Sequence, residues 1–159
     1  MADAQTTESG PVSGASWPVK PLRRRRASEA AHPAAEKLIA MAFAADAGVA
    51  KPAASRLFAR IAASSAVPVG RMRAELIPDS SWKRAGKMLG AQASQTAARL
   101  SYVLAMAERV WGNEADAIEW LTSPHAELRG ASPFSMLKTE AGGRAVEALL
   151  AALEFGFPV

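Results

Sequence analysis

Between Gly90 and Gly112 the chain reads "AQASQTAARLSYVLAMAERVW", with no proline or glycine to interrupt it. Within it Leu100, Val103, Leu104, Ala107 and Val110 recur at three-four spacing, the period of one helix face. Ser94 is predicted to cap this helix and Gly112 to stop it. An apolar stripe this long needs cover along its whole length. The rest of the chain is read as shorter pieces.

Those pieces are helical as well. From Pro33, the residues Leu38, Met41, Ala42, Ala45 and Val49 follow the three-four spacing, and Ala54, Leu57, Phe58 and Ile61 repeat it after Pro52. Pro52 suits a first helical turn. Pro68 is expected to open "PVGRMRAEL" and Pro78 to break it; Asp79 would then cap "SSWKRAGKML", which Gly90 would end. Asn113 with Asp116 resembles a capping box for "EADAIEWL". Ser123-Pro124 and Ser132-Pro133 read as cap-then-proline starts of two short turns. Thr139 caps the last helix, where Val146, Leu149, Leu150 and Leu153 share a face up to Gly156. Gly142 and Gly143 lie in its first turns. They mark either a frayed start or the close approach of another backbone. The sequence has no convincing alternating strand. Half of its 159 residues are hydrophobic but only 6% are aromatic, and the alanine that dominates them favours helix. The expected fold is all-α.

Composition excludes several function classes. There is no cysteine, so disulfides and thiol chemistry are absent. No run of 18 apolar residues offers a membrane span, and the N-terminus lacks the apolar core of a secretory signal. A cytoplasmic protein is expected. The net charge of +4 is unevenly placed: residues 46–100 carry +6 and residues 101–159 carry −4. Such asymmetry suggests two parts with different partners. Residues 1–30, rich in Gly, Ser, Pro and Thr, read as a disordered basic tail holding Arg23 to Arg26 and a single Trp17.

No catalytic or metal constellation stands out. His32 and His125 lack neighbouring carboxylates at ligand spacing. Glu114, Asp116 and Glu119 cluster at a helix start, where they complement the dipole. There is no phosphate loop and no nucleophile elbow. "PVGRMRAEL", a break at Ile77-Pro78, and "DSSWKRAGK" together have the layout of a helix–turn–helix. Its second helix would present Ser80, Ser81, Lys83, Arg84 and Lys87 to phosphates and base edges. Trp82, Ala85 and Met88 would face its own core. Such motifs usually read paired half-sites, so a homodimer is expected on operator DNA.

The landmarks from Ala107 onward carry a resemblance. They are Ala107, Glu108, Val110, Trp111 and Gly112; then Ala117, Trp120, Leu121 and Pro124; then Leu128, Gly130 and Pro133. Thr139, Gly142, Val146, Leu149, Leu150 and Gly156 complete the series. In that order and spacing the last third of the chain resembles the Xre/MbcA/ParS toxin-binding domain of antitoxins paired with RES-domain toxins. The upstream part is similar to the Xre-type DNA-binding half. There the family's recognition helix tends toward Arg-Thr-Leu-x-Arg-Arg, where this chain has Ser80-Ser81-Trp82-Lys83-Arg84.

The resemblance implies three parts: the tail over 1–30, an Xre-like helical domain over 31–100, and a toxin-binding domain over 101–159. It implies a non-enzymatic antitoxin, without cofactor, that blocks the active site of a cognate NAD-using RES-domain toxin, either an ADP-ribosyltransferase or an NAD-degrading enzyme. Autorepression of its operon and a toxin–antitoxin heterotetramer around an antitoxin dimer follow as expectations. The toxin-facing surface is expected on the last helix and on the stretch from Ser132 to Glu140. Lys138, Glu140 and Arg144 would be its polar contacts. Phe157, Pro158 and Val159 would form an apolar plug hinged at Gly156, with Phe155 also counted among the toxin-binding residues; otherwise the tail would staple the domain's own helices. The rival reading is a helix–turn–helix regulator whose C-terminal half only dimerises.

Overall fold

The computed structural model describes Ala40, residues 47–65 and residues 67–156. The expected tail over 1–30, most of the helix expected after Pro33, and Phe157 to Val159 lie outside the described residues. The described elements are α1 (Lys51–Ala63), α2 (Val69–Leu76), α3 (Asp79–Arg84), α4 (Ala91–Trp111) and α5 (Glu114–Thr122). A 3-10 turn (Ala126–Leu128), α6 (Pro133–Met136) and α7 (Glu140–Phe155) follow. Among the described residues there is no named strand, in line with the all-α expectation. One isolated antiparallel bridge joins Ala50 to Met88.

Helix α4 is the spine. Leu100, Val103, Leu104 and Ala107 are fully buried, as their spacing predicts, while Val110 is half-buried. Helices α5 and α7 pack against α4, and α6 packs on both α5 and α7. Their buried contributions are Ala117, Ile118 and Leu121; Phe134 and Leu137; and Val146, Leu149 and Leu150. At the other end, α1 packs on α2 through Ala54, Leu57, Phe58 and Ile61 with Met72 and Leu76. All of these join one contiguous core, and α4 runs unbroken through positions 100 and 106.

Several helix boundaries match their signals. Asn113 accepts from the Asp116 N–H at 2.8 Å, Ser132 from the Ser135 N–H at 3.2 Å, and Thr139 from the Gly142 N–H at 3.0 Å. Gly112 and Gly156 end α4 and α7 in the left-handed region, at φ 75° and 71°, where a Cβ would cost energy.

Other boundaries correct the sequence reading. Ser94 does not cap α4, which starts at Ala91 behind Gly90. Its buried hydroxyl instead accepts from the Val49 N–H at 3.0 Å and donates to the Leu89 carbonyl at 3.1 Å. A side chain that looked like a local cap is thus used as a tertiary tie, fastening the segment before α1 to the segment before α4. Asp79 is the first residue of α3 rather than its cap, which is Pro78, and its carboxylate turns back to Arg73. The helix ends at Arg84, well before Gly90. Met88 does not face the core; it is 46% exposed, because the chain is extended at the bridge. Ser123-Pro124 starts no turn of its own: the 3-10 turn begins at Ala126, with His125 before it.

Candidate functional site

Helix α7 is seated by its two glycines. A Cβ on Gly142 would lie 2.0 Å from the Met136 carbonyl oxygen, and one on Gly143 would lie 2.3 Å from Cδ of Arg99. Both are buried. Of the two open readings of this pair, close approach of a backbone holds at Gly142, while Gly143 meets a side chain, and both approaching groups belong to this chain. Arg99 also donates to the Leu137 carbonyl at 2.9 Å, locking the end of α6 to α4. The inner face of α7 is thereby fixed against α4 and α6.

The opposite face of α7 is uncommon for a solvent-facing helix, which normally carries charges there. Ala141, Ala145 and Ala148 are exposed, Ala151 and Ala152 half-buried, and Phe155 is 72% exposed. Charges flank this row along the helix, with Glu140 and Arg144 toward the N-terminal end and Glu147 and Glu154 further on. Arg144 and Glu140 pair with each other one turn apart, and Lys138 is exposed just before the helix. On the flank, Glu154 pairs with Arg109 of α4 at 2.7 Å. The expected residues Lys138, Glu140, Arg144, Phe155 and Gly156 therefore all lie at the surface along one helix. Phe157, Pro158 and Val159 lie outside the described residues. The alanine ridge between them was missed in the sequence. Its signal was there: alanines at 141, 145, 148 and 152 keep the three-four spacing opposite the Val/Leu stripe.

Aromatic stacking supports the domain from behind. Trp111 and Trp120 have ring centroids 4.9 Å apart, and Trp120 and His125 5.3 Å. The His125 Nε2 lies 2.9 Å from the Trp120 carbonyl oxygen, so this imidazole is engaged in the fold. Among the described residues no group of three His, Asp or Glu side chains could hold a metal ion, and no helix is long and apolar enough to cross a membrane.

The basic residues gather at the other end. Ser80, Lys83, Arg84 and Lys87 are exposed, and Ser81 is half-buried. Trp82 is half-buried and meets Phe58 edge-on, with centroids 6.4 Å apart. The Lys51 ammonium lies 5.3 Å from the Trp82 ring and the Arg73 guanidinium 5.0 Å from it. The hydrogen bond and charge of Arg73 hold the Asp79 carboxyl below the usual carboxylate range.

Arg60 joins α1 to the C-terminal elements. It pairs with Glu108 of α4 at 2.6 Å and with Glu114 at the start of α5. Burial alone would lower its pKa. The Glu114 hydrogen bond and the two carboxylate charges outweigh that and raise it.

The class this geometry defines is a small helical domain, built on a shared long helix, whose exposed ridge is suited to a protein partner. Residues 106–156 match the family model of the antitoxin Xre/MbcA/ParS C-terminal toxin-binding domain. The landmark residues from Ala107 to Gly156 lie within that stretch. The chain is also similar to Antitoxin Xre of Pseudomonas putida, at 36% identity over 59 residues, which are 37% of each protein. The similarity spans just over a third of that relative's length.

Proposed function

We propose that this chain is the antitoxin of a two-protein system and blocks a RES-domain toxin that uses NAD. One observation carries the reading: the residues similar to a toxin-binding domain present, on the outside of α7, a row of exposed alanines, Ala141, Ala145 and Ala148, that leads to the exposed Phe155. Burying Phe155 would contribute about 2–3 kcal/mol. The alanines would add shape rather than much area. Lys138, Glu140 and Arg144 would bound the contact at one end. Phe157, Pro158 and Val159 would reach into the toxin's cleft from the other. The protein would act by occlusion, without cofactor or catalysis of its own.

In the same reading the basic end binds operator DNA and represses the operon. Ser80, Ser81, Lys83, Arg84 and Lys87 would make the contacts, as a homodimer within a toxin–antitoxin heterotetramer. The separation of +6 over residues 46–100 from −4 over residues 101–159 favours this division of labour.

The test is NAD consumption by the RES-domain protein encoded beside this chain. It is measured with the full-length chain and with a version ending at Gly156. Full inhibition by the first, and binding without inhibition by the second, supports a plug. Equal inhibition by both places the block in the body of the domain. Failure of the full-length chain to bind overturns the antitoxin reading and favours a regulator whose C-terminal half only dimerises.

A further inference from the structure

We propose that Trp82 is the positioning residue of the basic face, fixing α3 and its cations against α1 and α2 for contact with duplex DNA. The inference rests on the DNA-binding reading above. Helix α3 has six residues, no fully buried side chain and no side-chain cap. A helix this short does not hold itself together, so tertiary contacts must set its orientation. The Asp79–Arg73 pair is exposed on the acid side, and such pairs contribute little.

The indole is the side chain of α3 that reaches both neighbouring helices. Its edge contact with Phe58 anchors it to the core of α1. Lys51 comes from α1 and Arg73 from α2, so one ring on α3 touches cations from both neighbours. The Lys51 ammonium also donates to the Ala85 carbonyl at 3.0 Å, just past the end of α3. Lys51, Arg73, Lys83, Arg84 and Lys87 are thus gathered around one short element, with Asp79 the acidic residue within it. Like charges brought together repel. The face of an indole attracts cations more strongly than any other side-chain ring, and here it offsets that repulsion while leaving the charge in place. An apolar wedge would serve the packing alone. A tryptophan between two cations serves a surface that must stay positive.

The experiment uses the full-length chain with Trp82→Phe and with Trp82→Ala. Binding is measured to a duplex of the promoter region upstream of its own gene and to an unrelated duplex of equal length, over a salt series. Inhibition of the RES-domain protein is the parallel readout. Trp82→Phe is expected to weaken promoter binding about threefold to tenfold, and Trp82→Ala more than tenfold. The salt dependence should flatten in the same order as phosphate contacts are lost, with toxin inhibition unchanged in both. Unaltered affinity and salt slope in both variants would overturn the proposal. If Trp82→Ala does not fold, Trp82→Phe decides by the same criterion. If the unaltered chain binds neither duplex at low salt, the DNA-binding reading itself fails and takes this inference with it.

Discussion

Arg60 on α1 and Glu108 on α4 meet at 2.6 Å across 48 residues of sequence. Glu108 is only 8% exposed, so its charge has left water, and the guanidinium meets it there. Arg60 also reaches Glu114. One side chain from the basic part thereby fastens the C-terminal helices. Arg60→Ala takes the guanidinium away from a buried carboxylate. It should destabilise by about 2–3 kcal/mol, less than the about 3–5 kcal/mol of a dry pair, because the Arg60 side chain keeps 28% exposure. A shift of the urea midpoint checks this.

The two glycines of α7 predict opposite sensitivities. Gly142→Ala drives a methyl into the Met136 carbonyl, a backbone atom that moves only if α6 moves. Overpacking of this kind costs about 1–3 kcal/mol, and the upper end is expected here. Gly143→Ala meets the Arg99 side chain, which can swing away at the loss of its hydrogen bond to Leu137. The gain in helix propensity, about 1 kcal/mol, should offset most of that loss. Thermal melts of the two variants should rank Gly143→Ala well above Gly142→Ala.

These cases show what was legible in the sequence. The stripes of α1, α4 and α7 and the caps at Asn113, Ser132 and Thr139 could be read because each depends on neighbours within one turn. Ser94 misled because a serine before an apolar run looks the same whether its hydroxyl bonds the helix start or a distant backbone. Gly142 and Gly143 could be flagged but not resolved, since the atoms they admit come from α6 and α4. The ridge on α7 was passed over because alanine carries little pattern weight, although its spacing was present. The Arg60 clasp joins residues far apart in sequence, and nothing local announces it.

The carboxyl of Asp79 should titrate below the ordinary aspartate range, since the hydrogen bond and charge of Arg73 favour its ionised form. The sign follows: a depressed carboxylate contributes stability above its unfolded pKa and loses it as pH falls through the folded value. Carbon-detected NMR titration of Asp79 reads this directly. In Arg73→Gln the midpoint should return to the ordinary range.

The outer face of α7 should matter for the partner and not for the fold. Ala148→Arg and Phe155→Ser alter exposed positions, where substitutions usually change stability by less than about 0.5 kcal/mol. Both should leave the melting temperature within about 2 °C of the unaltered chain. Both should weaken toxin binding, Ala148→Arg by about tenfold or more because it sets a charge and a long side chain in the middle of the contact. Calorimetric titration against an inactive toxin checks both.

The central claim is that the C-terminal domain neutralises a toxin through this face. Its most direct test is NAD turnover by the proposed RES-domain partner, titrated with the unaltered chain and with Ala148→Arg. Turnover should fall to background as the unaltered chain reaches equivalence with the toxin, and persist with the variant. Turnover that continues at the same rate with excess unaltered chain would contradict it.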